Sequence, residues 1–526
     1  MRELYKTPPA ATPPGLGFPK LHMNYSSFAS FIRFVFVVFC FFSLVHTGSA
    51  QKTMDSVERG KLKLMLKNIK SEVEKNYYDD KFRGIDLEER FKRANDRLDA
   101  VSTSSQALGV IAQVLIDFND SHLYFLPPPT NLDVEYGWRQ RIIGNKSFIT
   151  TVMPNSDASA KGLKPGDELL AIEGFAPSRK EMWKALYFYN VLSKRSSLRL
   201  KVQSPGESVP RELEIASRIR ELPRVITEQT LFRVLDEDDS SPADYNYIKT
   251  VGNIAIWKMP TFSMSPNQID LLVNKVKAVP NLVLDLRGNG GGLVEALERL
   301  AGLMFDKDLK IADLKGRKPM EPIASKTRGK DAYSGRLVVL MDSESGSAAE
   351  MFARIVQLEG RGKVVGDVSS GSVMQSRRQS MKLGTDSIVF YGASITNADV
   401  TMSDGKSLEH VGVIPDELTI PSGEDLAAGR DPALAKAIQL LGGVITPEIA
   451  GKMSRYVWKR SSTGITYYSK CSSGLASEQR LLCRHGYNFG FLGRLVLPKA
   501  EPLRVKIEKL LCYFPLFGSS CAPLGI

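Results

Sequence analysis

RLVVLMDSESGSAAEMFARIVQLEG, residues 336–360, decides the fold. An apolar run, Leu337–Met341, stops at a knot of small and polar residues. Apolar residues at helical spacing follow, so the stretch reads strand, turn, helix. Ser347 stands at the junction and opens "SAAE". That is a capping box, in which the hydroxyl caps the helix and Glu350 reaches back to the cap's own N–H. As a cap, the four residues explain themselves. The same junction is also where hydrolases present a serine, because the helix dipole and free N–H groups favour a developing oxyanion.

The alternation continues on both sides. "NLVLDL" (281–286) is a buried strand and "LVEALERLAGLMF" (293–305) a helix, and "KVVGD" and "SIVFYGASI" are further strands. The pattern predicts a layered α/β domain over 240–445. Upstream, residues 137–220 change character. "SFITTVMPNSDASAKGLKPGDELLAIEG" holds strands, a short helix and a turn set by Pro165 and Gly166, which predicts a small β-rich module. Residues 55–117 show apolar residues at helical spacing and "LPPPT" then breaks the pattern, which predicts a small helical region over 51–130.

The formal charge of +12 is confined to the two ends. Residues 1–50 carry a net +3 and residues 452–526 a net +9, leaving 51–451 neutral. A neutral body gives no case for nucleic acid as a partner. "FIRFVFVVFCFFSLVHTGSAQ" holds an apolar core of about twelve residues behind Arg33 and ends in small residues. It reads as an export signal over 1–50, cleaved after Ala50, with Met23 an alternative start and an uncleaved anchor the other reading. Export implies a periplasmic or secreted protein with no stable membrane span after cleavage. Apart from Cys40, the cysteines (471, 483, 512 and 521) all lie in the basic tail, 452–526. Their spacing fits no zinc ribbon, and the body holds no cysteine nucleophile or thiolate metal site. In an oxidising compartment they have three possible disulfide pairings.

"LDLRGNGGG" (284–292) follows a buried strand with turn residues whose N–H groups can face one anion. No Gly-Lys-Ser/Thr follows, and Leu293 stands where a dinucleotide loop needs its third glycine. A tight turn and an oxyanion hole remain as readings. A serine nucleophile needs a base. Residues 51–451 hold two histidines, His122 in "FNDSHLYF" and His410 in "SLEHVGV".

These motifs, in this order, resemble the C-terminal processing (tail-specific) serine peptidases, the family that includes the tricorn core protease. "LVLDLRGNGGG", "LVVLMDSESGSAAEMFA", "GKVVGD" and "DGKSLEHVGVIPD" carry the resemblance over about 55–445, and "SDASAKGLKPGDELLAIEG" is similar to the family's PDZ domain. The resemblance implies a ClpP/crotonase-like layered α/β domain with an inserted PDZ-like module. It implies no cofactor or metal, and polypeptide as the partner. Many members use a Ser–Lys dyad, with the lysine 25 residues after the serine; here that register falls on Ser372. The tricorn-like branch uses Ser, His and Glu instead, with a second serine before the histidine. That implies Ser347 as nucleophile, His122 as base, Glu409 as its orienting group and Ser121 in support. Glu409 would hold the imidazole's tautomer and push its pKa upward, with Asp404 and Asp416 as substitutes to test. Ala348 and either Gly290 or Gly291 would donate to the oxyanion. The module would add an extended peptide as a strand, with Arg139 placed to meet a terminal carboxylate or simply solvated. Two other functions share this scaffold: a non-catalytic peptide or ligand binder, and an esterase.

Overall fold

The computed structural model describes residues 53–221, 246–385 and 388–454. The expected export signal and the basic tail, with all its cysteines, lie outside the described residues.

Three capped helices open the described residues. They are α1 (Ser56–Asn76), α2 (Leu87–Ala100) and α3 (Ser104–Ile116), with Asp55, Asp86 and Thr103 each accepting a first-turn N–H. Their apolar faces bury Ile69, Val73, Leu98 and Ile111. The chain then passes through 117–123 into β1 (Tyr124–Leu126). This strand falls inside the stretch read as helical. Three residues are too few to show a period of two, and pairing with a distant strand defines them.

The small module follows. Its sheet has the order β3 (Trp138–Ile143), β4 (Lys146–Val152), β5 (Glu168–Ile172), β6 (Ser197–Gln203) and β7 (Arg211–Ala216), all antiparallel. Helices α4 (Asp157–Ala160) and α5 (Met182–Tyr187) connect its strands. A two-stranded ribbon, β2 (Leu132–Glu135) with β8 (Arg218–Glu221), joins the module's two ends.

The remaining chain makes two sheets. One holds six strands in the order β18-β15-β14-β11-β10-β9. They are β9 (Tyr247–Val251), β10 (Ile254–Lys258), β11 (Asn281–Asp285), β14 (Arg336–Met341), β15 (Gly362–Gly366) and β18 (Glu417–Leu418). All pairs are parallel except β9–β10. Its inner strands, such as the fully buried Asn281–Asp285, read as continuous apolar runs because both faces are covered. Helices α6 (Pro266–Val276), α7 (Val294–Met304) and α8 (Ala348–Leu358) pack on one face. The other face is covered, beyond α9 (Gly423–Ala428), by α10 (Pro432–Leu440) and α11 (Pro447–Ser454). The second sheet combines β12 (Leu309–Lys315), β13 (Ile323–Ser325), β16 (Met374–Leu383), β17 (Val389–Met402) and β1. β17 contributes Tyr391, Ala393 and Ile395 to the core under α1–α3, so the helical region and this sheet share one interior.

Candidate active site

The turn after β14 ends at Ser347, which has φ 53° and ψ −118°. A non-glycine residue rarely occupies that region, and strain of this kind gathers at functional sites. Two features hold it there. Gly291 lies so close that a Cβ on it would sit 2.6 Å from the Ser347 Cβ and 3.1 Å from the Ala348 nitrogen, so no other residue fits. Glu350, fully buried, accepts the Ser347 N–H through Oε2 at 3.0 Å. The same carboxylate accepts from Ser372 N–H (2.9 Å), Gly371 N–H (2.7 Å) and the Ser369 hydroxyl (2.5 Å). Burial pushes its pKa up to about 7 against the pull of these donors.

The glycine loop is pinned by Asn289, a fully buried residue. Its Oδ1 takes the Gly291 N–H at 2.9 Å, its Nδ2 donates to the Met259 carbonyl at 2.9 Å, and its own carbonyl accepts from Gly346. Among the described residues, no acceptor meets the N–H of Gly290 or of Ala348.

His122 follows the Asn119–Asp120 turn. The buried Asp120 accepts the His122 N–H (3.0 Å), the Thr396 hydroxyl (2.7 Å) and the Tyr77 hydroxyl (2.9 Å). Glu409, its side chain 6% exposed, reaches the histidine through Ser121. Its Oε1 accepts the Ser121 N–H at 2.9 Å and its Oε2 the Ser121 hydroxyl at 2.8 Å, while that hydroxyl lies 2.8 Å from His122 Nδ1. Ser121 thus stands between His122 and the carboxylate expected to orient it. Glu409 Oε2 also accepts the Val373 N–H, and the neighbouring Ser372 carbonyl accepts the Ser347 N–H, both at 2.9 Å. The strap 371–373 therefore ties the serine elbow to the Glu409–Ser121–His122 line, with Ser372 at the register of the missing lysine. The pKa of His122 is lowered, because burial outweighs the attraction of Glu409 and Asp120; the expected upward shift is reversed.

The other candidates are placed elsewhere. Asp404 is paired with Arg354 at 2.6 Å, and Asp416 accepts the Val364 N–H at 2.7 Å. Arg139 lies half-buried on β3, paired with Thr151. Its neighbour Arg141 leaves the module and meets Asp342 (2.9 Å) and Glu344 (2.8 Å) in the turn before Ser347. Among the described residues no cluster of three His, Cys, Asp or Glu side chains is placed to hold a metal ion. Asn289 and Glu350 stand inside motifs quoted above, but nothing local to the sequence marks their distant partners.

A mixed sheet that presents a strained serine at a helix N-terminus, against a glycine loop and tied through a strap to a histidine, is a layout that suits a serine hydrolase. Residues 252–419 match the model of peptidase family S41. A carboxy-terminal processing protease of Bacillus subtilis is 27% identical over 290 residues, 53% of this chain and 56% of its own. A carboxyl-terminal-processing protease of Synechocystis is 24% identical over 313 residues, 59% of this chain and 68% of its own. The chain thus spans little more than half the length of the first of these relatives. The crystal structure of mature CPAF superposes with a TM-score of 0.55 at 13% identity, covering 74% of this chain and 100% of that one. At that identity the likeness is one of fold.

Proposed function

We propose that the protein is an exported serine endopeptidase that hydrolyses polypeptides through Ser347, His122 and Glu409. The observation that carries this reading is the line Glu409–Ser121–His122 tied to a strained Ser347. Its hydrogens can be assigned. The Ser121 hydroxyl donates to the Glu409 carboxylate. That hydroxyl has one hydrogen, so His122 Nδ1–H must donate to Ser121. Nε2 is then bare, the tautomer a general base requires. The lowered pKa keeps the ring neutral at physiological pH.

In the proposed cycle, His122 Nε2 takes the Ser347 proton as the hydroxyl attacks the scissile carbonyl. The N–H groups of Ala348 and Gly290 receive the oxyanion. Gly291 drops out as a donor because Asn289 occupies its N–H. His122 passes the proton to the leaving amine, and water repeats the sequence on the acyl-enzyme. The small module is read as PDZ-like. Strand β3 ends its sheet, so its outer edge can pair with an extended peptide.

The test is a fluorophosphonate probe followed by a casein digest, on wild type and Ser347→Ala. Wild type should label and digest, and the variant should do neither. A variant that digests casein near the wild-type rate would exclude Ser347. A wild type that neither labels nor digests would favour the ligand-binding function, and labelling without digestion an esterase.

A further inference from the structure

His410 takes no part in the chemistry above. Its backbone has φ 61°, a left-handed conformation natural to glycine and strained for histidine. Its N–H donates to the Gly371 carbonyl at 2.7 Å, which seats it beside the strap. From there Nε2 lies 2.8 Å from the Asn119 carbonyl and 3.4 Å from Glu409 Oε1. A carbonyl can only accept, so Nε2 carries a hydrogen. One N–H therefore faces both the turn that launches Ser121 and His122 and the carboxylate that orients them.

We propose that His410 is a positioning residue of the catalytic carboxylate: its Nε2–H holds the Asn119 turn against Glu409, so that Oε2 faces Ser121, and tempers the negative potential that Glu409 presents to His122. The proposal rests on the Ser347–His122–Glu409 reading. Other polar and charged groups also face this corner. Asp120 holds the His122 N–H, Thr396 and Tyr77, and the Arg83 guanidinium donates to the Asn119 carbonyl and the Tyr78 hydroxyl. All of them remain when His410 is replaced, so a change can be assigned to the imidazole.

The experiment compares wild type, His410→Gly, His410→Asn and Ser347→Ala on one peptide substrate across pH. Glycine keeps φ 61° without strain, so His410→Gly should fold and melt no lower than wild type. Its kcat should fall about 10- to 100-fold, the scale of a misplaced catalytic group, with KM changed less than about twofold. The acid limb of kcat/KM should move to higher pH, because Glu409 without the Nε2–H attracts the imidazolium more strongly. His410→Asn also tolerates the left-handed backbone, and its shorter side chain should leave it nearer His410→Gly than wild type. If His410→Gly keeps the wild-type kcat and limb, the inference is wrong. A loss of kcat with the limb unmoved or moved down reduces His410 to a structural role and equally overturns it. If either variant fails to fold, the other carries the same comparison. Ser347→Ala separates the two readings. An active alanine variant removes the triad and this inference with it, whereas an inactive one beside a wild-type-like His410→Gly removes this inference alone.

Discussion

In the proposed triad the Ser121 hydroxyl decides which nitrogen of His122 is left bare, because it spends its hydrogen on Glu409. The consequence for Glu409→Gln is severe. The new amide can donate to Ser121, whose hydroxyl then turns to His122 Nδ1 and leaves the hydrogen on Nε2. That wrong tautomer should lower kcat by roughly 10⁴, the scale seen when a triad aspartate becomes asparagine. The residual activity carries a second signature. Neutral imidazole is the active form, so kcat/KM falls as pH drops through the folded-state pKa of His122. Burial already places that limb below the ordinary imidazole value of about 6.5. Removing the carboxylate takes away an attraction that raises it, so the limb should move lower still, opposite to His410→Gly. A pH–rate profile of the variant checks this, and a limb that stays in place removes Glu409 from the triad.

At the scale of the element, α8 shows what the sequence made legible. "SAAE" predicted a cap, and the return half of that box is present between Glu350 and the Ser347 N–H. The local motif could not show that the same carboxylate also gathers Ser369, Gly371 and Ser372 from about twenty residues away. β1 was hidden for a related reason, since its partners lie in β17, some 270 residues on. Elements with a local signal, such as the apolar run of β11 and the helical period of α7, could be read without partners. Glu350→Gln tests the clamp. It keeps the volume but turns one accepting oxygen into a donor. If that amide takes the Oε2 position, it faces the N–H groups of Ser347 and Ser372; the first keeps the Ser372 carbonyl as acceptor, and the second is left unmet. A buried unmet donor costs about 1–3 kcal/mol, so Tm should fall measurably and kcat with it. There is also a pH effect. With the folded pKa raised to about 7, the unfolded chain ionises Glu350 first, so this group's contribution to stability declines from about pH 4.5 to pH 7. The variant should lack that decline, and melting curves at pH 5 and pH 7 would show it. Equal wild-type and variant slopes would mean that Glu350 is ionised throughout.

At the scale of the whole described body, the small module is seated on loops that flank the elbow rather than hung from its ribbon. Gly166 approaches α9 so closely that a Cβ would lie 2.4 Å from the Gly423 carbonyl. Ser343 in the elbow turn donates to the Ile142 carbonyl at 2.5 Å. Asp367, at the end of β15, has its side chain 6% exposed. It accepts the Gly144 N–H at 2.8 Å, pairs with Arg179 at 2.7 Å, and still caps its own neighbour Val368. None of this was legible in sequence, where Arg139 drew attention as a candidate for a peptide carboxylate and Arg141 and Arg179 did not. Charge alone cannot say that Arg141 and Arg179 meet partners across the module's boundary. Asp367→Ala should therefore loosen the seat. Arg179 would keep the carbonyls of Gly144 and Val368 but lose its counter-charge, and the Gly144 N–H would lose its acceptor. Hydrogen bonds to a charged group contribute about 1.5–3 kcal/mol each, so docking should weaken by a comparable amount. The six-stranded sheet keeps its core, since Asp367 lies at a strand end. Limited proteolysis should then cut faster near 130–137 and 217–221, the segments that enter and leave the module, while fluorophosphonate labelling of Ser347 persists. Unchanged cleavage rates at both segments would show that Gly166 and Ser343 suffice to hold the module without Asp367.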